Sequence, residues 1–117
     1  GDERMRGTGF IEVRTTLPSR TRARALGKEL VERRLAACVQ ILGPLSSRYW
    51  WKGKIEGAEE WLCIAKVRKG SFRRVSRFIA EHHPYDVPEI VAVPIVAASR
   101  SYRRWLDQSI PPEEVSL

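Results

Sequence analysis

Methionine, histidine and cysteine are scarce in this sequence, and it has no long apolar run. Because no run approaches the ~20 residues that a membrane-spanning helix needs, we expect no membrane partner. The two cysteines, Cys38 and Cys63, do not form a closely spaced motif such as CxxC, which argues against a cysteine-based metal site and favours buried reduced thiols. The opening residues GDERMRGTG are polar and lack the apolar centre of a signal peptide, so we expect a cytoplasmic protein.

Positive charge, by contrast, is abundant: 21 lysines and arginines against 14 aspartates and glutamates give a formal net charge of +7. A basic chain is a candidate for nucleic-acid binding. The arginines are nevertheless spread along segments with a helical pattern, where solvent-facing positions accommodate them, and we therefore expect no nucleic-acid partner. With 117 residues, 43% of them apolar, the chain is predicted to form one soluble domain over residues 1–117, with its core at about 10–109 and flexible ends.

Hydrophobic periodicity divides the chain into strands and helices. The predicted elements, in chain order, are a strand over 9–16, a helix capped by Ser19 or Thr21, a long antiparallel hairpin over 38–69, a helix from Gly70-Ser71 to His82, a strand over 89–97 and a short helix over 99–108. The hairpin is expected to turn at Lys52-Gly53-Lys54, with Gly57 as a second turn candidate. Pro94 predicts an edge or a bulge in the last strand.

The order β-α-β-β-α-β, followed by a short helix, is that of an α+β ferredoxin-like sandwich, in which two helices cover one face of four antiparallel strands. The second face would also carry apolar side chains, and an exposed apolar face usually marks an interface. The long hairpin adds open edges that need covering. Trp50, Trp51 and Trp61 lie on this hairpin and are the candidates for a subunit interface, because large apolar interfaces are rich in aromatic residues.

The segment EHHPYDVPEI, residues 81–90, contains both histidines of the chain. Pro84 disfavours helical dihedrals at His83, so the helix should end at or just before His82. Neighbouring helical residues project about 100° apart, so both imidazoles reach one ion only if Pro84 turns His83 out of the helix. Histidine and carboxylate ligands together, as this segment offers them, suit zinc, copper or nickel. In the alternative, His82 is a solvated last-turn residue and His83 hydrogen-bonds the turn.

Four separated segments resemble one protein family. They are RLAACVQI at 34–41, RYWWKGKIE at 48–56, HPYDVPEI at 83–90 and SYRRWL at 101–106. In this order they resemble the CutA family, the divalent-cation tolerance proteins, over nearly the whole domain. The resemblance implies a ferredoxin-like subunit in a tight homotrimer similar to the PII signalling proteins, a cytoplasmic location, a link to tolerance of copper and other divalent metals, and no enzymatic activity.

The resemblance also implies a metal site. Copper-binding members are described as using the two histidines of an HHP motif, which His82 and His83 match, and a cysteine at the end of the first strand. That cysteine position falls on Thr15. A threonine hydroxyl is a poor ligand for copper, so we expect copper or another divalent cation to bind weakly.

Lys66, Tyr85 and Asp86 are candidates for a polar cleft. Asp86 sits in the rigid connection between two prolines, where it can cap backbone amides of the turn. In a second interpretation Asp86 pairs with Lys66 across a subunit boundary.

The sequence thus favours a non-catalytic, trimeric divalent-metal tolerance protein, with a PII-like signalling or assembly scaffold that binds a small ligand at subunit clefts as the alternative. The same fold occurs in RNA-recognition domains, but the third strand EEWLCIAKV lacks their aromatic motif. It also occurs in small acyl phosphatases, but the loop TTLPSRT has no glycine and Pro18 removes an amide from any phosphate cradle.

Overall fold

The computed structural model of the chain describes residues 7–112, and the elements in them follow the predicted order. They are β1 (Phe10–Leu17), α1 (Arg20–Glu32), β2 (Cys38–Trp51), β3 (Lys54–Arg68), α2 (Phe72–Glu81), β4 (Val91–Ile95) and α3 (Arg100–Ser109). None of these helices is long and apolar enough to cross a membrane. The predicted flexible ends fall largely on residues 1–6 and 113–117, which lie outside the described residues.

The strands form one four-stranded sheet in the order β2-β3-β1-β4, and every neighbouring pair is antiparallel. Helices α1 and α2 pack on the same face of this sheet. The predicted α+β arrangement is therefore confirmed at the level of one subunit. Pro94 lies in β4 at the edge of the sheet, where the amide that proline lacks is not needed for a further strand.

The β2-β3 hairpin turns at Lys52-Gly53, where both residues have positive φ angles of 51° and 77°. Positive φ angles at both central residues are characteristic of a type I′ turn, whose twist matches that of the two flanking strands. The second turn predicted at Gly57 is wrong, because Gly57 lies within β3 and pairs with Arg48. One glycine weakens a strand but does not end it when the neighbouring residues keep their ladder. Pairing shifts only between Leu42 and Leu45, around Gly43-Pro44.

The face that carries α1 and α2 is called the covered face, and its central residues are Ile11, Val13, Cys63, Ala65 and Val67. All five are buried, and they share one cluster with the apolar stripes of both helices. Helix α1 begins after Ser19, whose hydroxyl accepts the Arg22 N–H at 3.1 Å. It packs so closely on β2 that a Cβ at Gly27 would lie 2.7 Å from Cγ1 of Val39.

The opposite face is called the open face and carries Glu12, Arg14, Leu62, Ile64, Lys66, Val91 and Val93. Helix α3 covers only one end of it, where Leu106 and Ile110 pack on Phe10 and Ile95. Arg68 holds α3 in place, since its guanidinium donates to the Asp107 carboxylate at 2.9 Å and to the Ile110 carbonyl at 2.8 Å. Within residues 7–112, no other element covers the remainder of this face.

Candidate functional site

Helix α2 ends at Glu81, as Pro84 predicts, and His82 follows as its C-cap. The His82 Nδ1–H donates to the Phe78 carbonyl at 2.8 Å, and the imidazole stacks on the Phe78 ring at 4.1 Å between centroids. His82 is thus the exposed last-turn histidine of the alternative interpretation. Among residues 7–112 no group hydrogen-bonds its Nε2, which is the nitrogen open to a ligand.

His83 is half-buried and has hydrogen-bond partners different from those of His82. Its Nδ1 accepts the Tyr85 backbone N–H at 3.2 Å, so the ring proton lies on Nε2, which donates to the Thr16 carbonyl at 2.8 Å. Partial burial lowers the pKa of His83, with hydrogen bonding to Thr16 and the charge of Glu60 opposing this effect. Both ring nitrogens are therefore hydrogen-bonded, Nδ1 to the turn, as in the alternative interpretation, and Nε2 to β1.

Tyr85 makes the next contact along the loop. Its hydroxyl donates to Oε2 of Glu60 at 3.0 Å, and burial together with Glu60 raises the pKa of Tyr85 to about 12. Glu60 is only 6% exposed, although its neighbour Glu59 is exposed. Sequence reasoning missed Glu60, because nothing in the local pattern separates these two adjacent glutamates; only the tertiary contact with Tyr85 does.

The outer half of the hairpin and the loop 85–89 enclose a cleft of about 600 Å³. The aromatic and acidic residues that line it are Tyr49, Trp50, Trp51, Glu60, Tyr85, Asp86 and Glu89. The structure therefore brings Tyr85 and Asp86, predicted from one motif, together with Trp50 and Trp51, predicted as interface residues. Trp61 is not part of this cleft; it is half-buried against the core cluster of its own chain.

Lys66 lies apart from the cleft, on the open face. Its ammonium donates to Gln40 Oε1 at 2.8 Å and is 3.9 Å from Glu12 Oε2. No contact with Asp86 is formed within residues 7–112, so the predicted Lys66–Asp86 pair would require a second subunit and stays a prediction.

Thr15 is 1% exposed and pairs with Cys63 on the covered face; its hydroxyl has no hydrogen-bond partner among the described residues. Within residues 7–112 no three His, Cys, Asp or Glu side chains come together as a metal-binding group. With both His83 nitrogens already hydrogen-bonded, His82, His83 and Thr15 of one subunit do not fit a resident metal ion.

The two cysteines differ in environment. Cys63 is buried, and burial raises the pKa of its thiol to about 11. Cys38 is half-buried, lies opposite Lys66 and so belongs to the open face. Both are free thiols, as predicted, but the predicted burial holds only for Cys63.

These features define a class of small α+β proteins with a four-stranded antiparallel sheet, three helices and a cleft beside a long hairpin. A sequence model of the CutA1 divalent ion tolerance protein family matches residues 11–109, and the chain belongs to this family. It is 43% identical to the divalent-cation tolerance protein CutA of Thermus thermophilus over 80% of this chain and 91% of that protein. It is 37% identical to the CutA homolog of Danio rerio, of which it spans only 62%.

Solved structures of relatives agree with this fold. CutA1 from Oryza sativa superimposes with a TM-score of 0.85 at 34% identity, covering 89% of this chain and 95% of that one. The divalent cation tolerance protein from Thermus thermophilus gives a TM-score of 0.83 at 40% identity, covering 87% and 99%.

Proposed function

We propose that this protein is a non-catalytic homotrimer that serves in tolerance of, and response to, divalent cations, copper above all. Family membership supports the link to divalent cations. The observation that carries the assembly is the open face, where Val91 and Val93 remain exposed beside a sheet surface with no covering element among residues 7–112. Burying such surface against identical subunits stabilises it, and closed symmetry also removes the sheet edges.

Sedimentation equilibrium at micromolar concentration tests the assembly. The expected mass is three times 13.4 kDa. A monomer mass contradicts the trimer and with it every proposal that places a residue between subunits.

The metal enters this proposal as a cargo or signal that is bound weakly, not as a resident cofactor. One subunit offers the Nε2 of His82 as an uncommitted imidazole nitrogen. His83 becomes a second ligand only if it gives up its hydrogen bonds to Thr16 and Tyr85. A single imidazole binds transition metals loosely, and the buried Thr15 hydroxyl supplies no soft ligand.

Equilibrium dialysis against Cu²⁺ with metal analysis tests this proposal on untagged protein. The double variant His82→Ala and His83→Ala should lose one weak site per subunit. If the geometry resembles that of the copper-binding relatives, Thr15→Cys should bind more tightly than the wild type. Equal copper binding by wild type and double variant would show that these histidines are not ligands.

A second candidate function is favoured by the cleft itself: a PII-like signalling or assembly scaffold that binds a small ligand. The cleft combines aromatic side chains with the buried carboxylate of Glu60, an arrangement typical of ligand pockets.

The non-catalytic assignment is supported by His83, whose ring nitrogens are both held by backbone groups and so are not free to act as a base.

A cytoplasmic location is also part of the proposal. The names of relatives differ on this point: the Arabidopsis thaliana protein is named chloroplastic, and the Archaeoglobus fulgidus structure is titled periplasmic. Cell fractionation with an antibody against the native protein would decide it, and recovery in a membrane or periplasmic fraction would contradict the proposal.

A further inference from the structure

The cleft between the outer hairpin and the loop 85–89 is acidic, although the protein as a whole carries a formal charge of +7. Three carboxylates line it, those of Glu60, Asp86 and Glu89, against the single guanidinium of Arg48. A concave surface of one sign concentrates ligands of the other sign, because its low-dielectric walls focus the field. The charge of this cleft therefore favours a cation.

Glu60 gives the cleft a carboxyl group that is held in place. Its side chain is 94% buried, since only 6% of the residue is exposed, and Tyr85 holds Oε2 through a hydrogen bond of 3.0 Å. Among residues 7–112 no donor reaches Oε1, which leaves one carboxylate oxygen for a ligand in the cleft. This oxygen is not buried, so it is accessible from the cleft, and a carboxylate oxygen forms its strongest hydrogen bonds with a charged donor.

The aromatic wall of the cleft points to the kind of cation. Tyr49, Trp50 and Trp51 lie side by side in β2, and Trp50 is 72% exposed. Aromatic faces attract ammonium and guanidinium groups, and Trp is the best of them. The chain already shows this attraction, because the Lys52 ammonium lies 5.8 Å from the Trp51 ring centroid.

We propose that this cleft binds a small organic cation, an ammonium or guanidinium compound, with its charge at Glu60 Oε1 and its apolar part against Trp50 and Trp51. A divalent metal fits less well, because it requires several oxygen or nitrogen ligands at short distance, and aromatic faces supply none. This inference rests on the second candidate function, ligand binding at the cleft, and names the chemistry of the ligand.

Isothermal titration calorimetry of the native assembled protein at low salt tests the proposal with choline and agmatine as probes. The neutral isostere of choline, 3,3-dimethylbutan-1-ol, serves as the matched ligand control. We expect at least one of the two cations to bind, and the neutral compound to bind at least about tenfold more weakly than choline if choline is that cation. Binding should also change the tryptophan fluorescence.

Glu60→Gln keeps the shape of the side chain and an acceptor for Tyr85 but removes the charge, so it should weaken cation binding about tenfold or more. Glu59→Gln is the matched control, because Glu59 is the neighbouring exposed carboxylate that does not line the cleft; it should bind like the wild type. Asp86→Asn changes an exposed residue and leaves folding intact, and we expect a loss of about twofold to fivefold.

Three results would overturn the inference. Neither cation binds the assembled protein, in which case a side chain of a second copy fills the cleft or the assembly closes it. The neutral isostere binds as tightly as choline, which shows an apolar pocket. Glu59→Gln and Glu60→Gln weaken binding equally, which shows a general charge effect. The mass of the same samples is measured in parallel, so that a failure of assembly is recognised separately from a failure of cation binding.

Discussion

The two faces of the sheet are built from the same strands but have different surroundings. On the covered face Val13 and Cys63 are each 1% exposed, whereas on the open face Val91 and Val93 are 46% and 36% exposed. Both faces carry apolar residues at alternating positions, so alternation alone does not separate them. The difference arises because the right-handed crossovers place α1 and α2 on one side. The open face is therefore the part of the subunit surface that we expect another subunit to cover.

The open face also carries charged groups that one subunit does not fully pair. On the open face Arg14 donates to Glu12 at 2.8 Å, and Lys66 lies 3.9 Å from the same carboxylate. The Nε of Arg14 is buried and has no hydrogen-bond partner among the described residues. A buried donor without a partner is costly, which is a further reason to expect a group from a second subunit there.

The largest effect should come from the covered face. Leu30→Ala removes a fully buried side chain from the last turn of α1 and should lower the free energy of unfolding by about 2–5 kcal/mol. Its neighbour Val31 is 40% exposed, and Val31→Ala should change that free energy by only ~0.5 kcal/mol. Urea unfolding at one fixed protein concentration measures both. Equal losses would show that the two sides of α1 are not distinguished in solution.

A charge on the open face should act on assembly instead of on the subunit fold. Val93→Glu places a second carboxylate directly opposite Glu12, and burying this like-charged pair between subunits should dissociate the trimer. Val96→Glu is the control, since Val96 follows β4 and lies outside the sheet. Analytical ultracentrifugation gives the masses. A Val93→Glu protein that remains trimeric would mean that the open face is not the interface.

The melting temperatures of hairpin tryptophan variants distinguish packing within a subunit from contacts between subunits. Trp61 packs against its own core, so Trp61→Ala should lower the melting temperature at every protein concentration. Trp50 is exposed in one subunit and lines the cleft, so Trp50→Ala should cause a smaller shift, and the part of that shift that depends on concentration measures contacts with a neighbour. His82→Ala, at the exposed end of α2, should barely change melting. Concentration-independent melting of the wild type would argue against coupled dissociation and unfolding.

The smallest perturbation is chemical labelling of the thiols. At pH 8 the Cys63 thiol on the covered face is protonated, because burial raises its pKa to about 11, and it should react with Ellman's reagent only after unfolding. Cys38 is half-buried in one subunit and lies on the face that the proposed trimer covers, so it should react once the subunits dissociate, under conditions that still protect Cys63. Cys38→Ala distinguishes the two: rapid labelling of that variant in native buffer would contradict the difference between the faces.

Local features of the site were predictable from the sequence, and its long-range contacts were not. The stop at His82 follows from Pro84, and the turn at Lys52-Gly53 follows from a glycine between polar residues. The hydrogen bond of His83 Nε2 depends on the Thr16 carbonyl, which lies 67 positions away in the chain. Glu60 is distinguished from Glu59 only by Tyr85, and the register of β3 needed for this contact is set by the whole hairpin.

The sequence by itself determined the order of strands and helices, the covered core and the four family segments, because periodicity, caps and turn residues act over a few neighbouring positions. Only the tertiary structure decided that the acidic cleft exists, since its walls come from β2, β3 and the loop 85–89, which are distant in the chain. It also decided that His82 and His83 have separate hydrogen-bond partners: Pro84 ends the helix before His83, whose ring nitrogens then bond backbone groups of β1 and the loop.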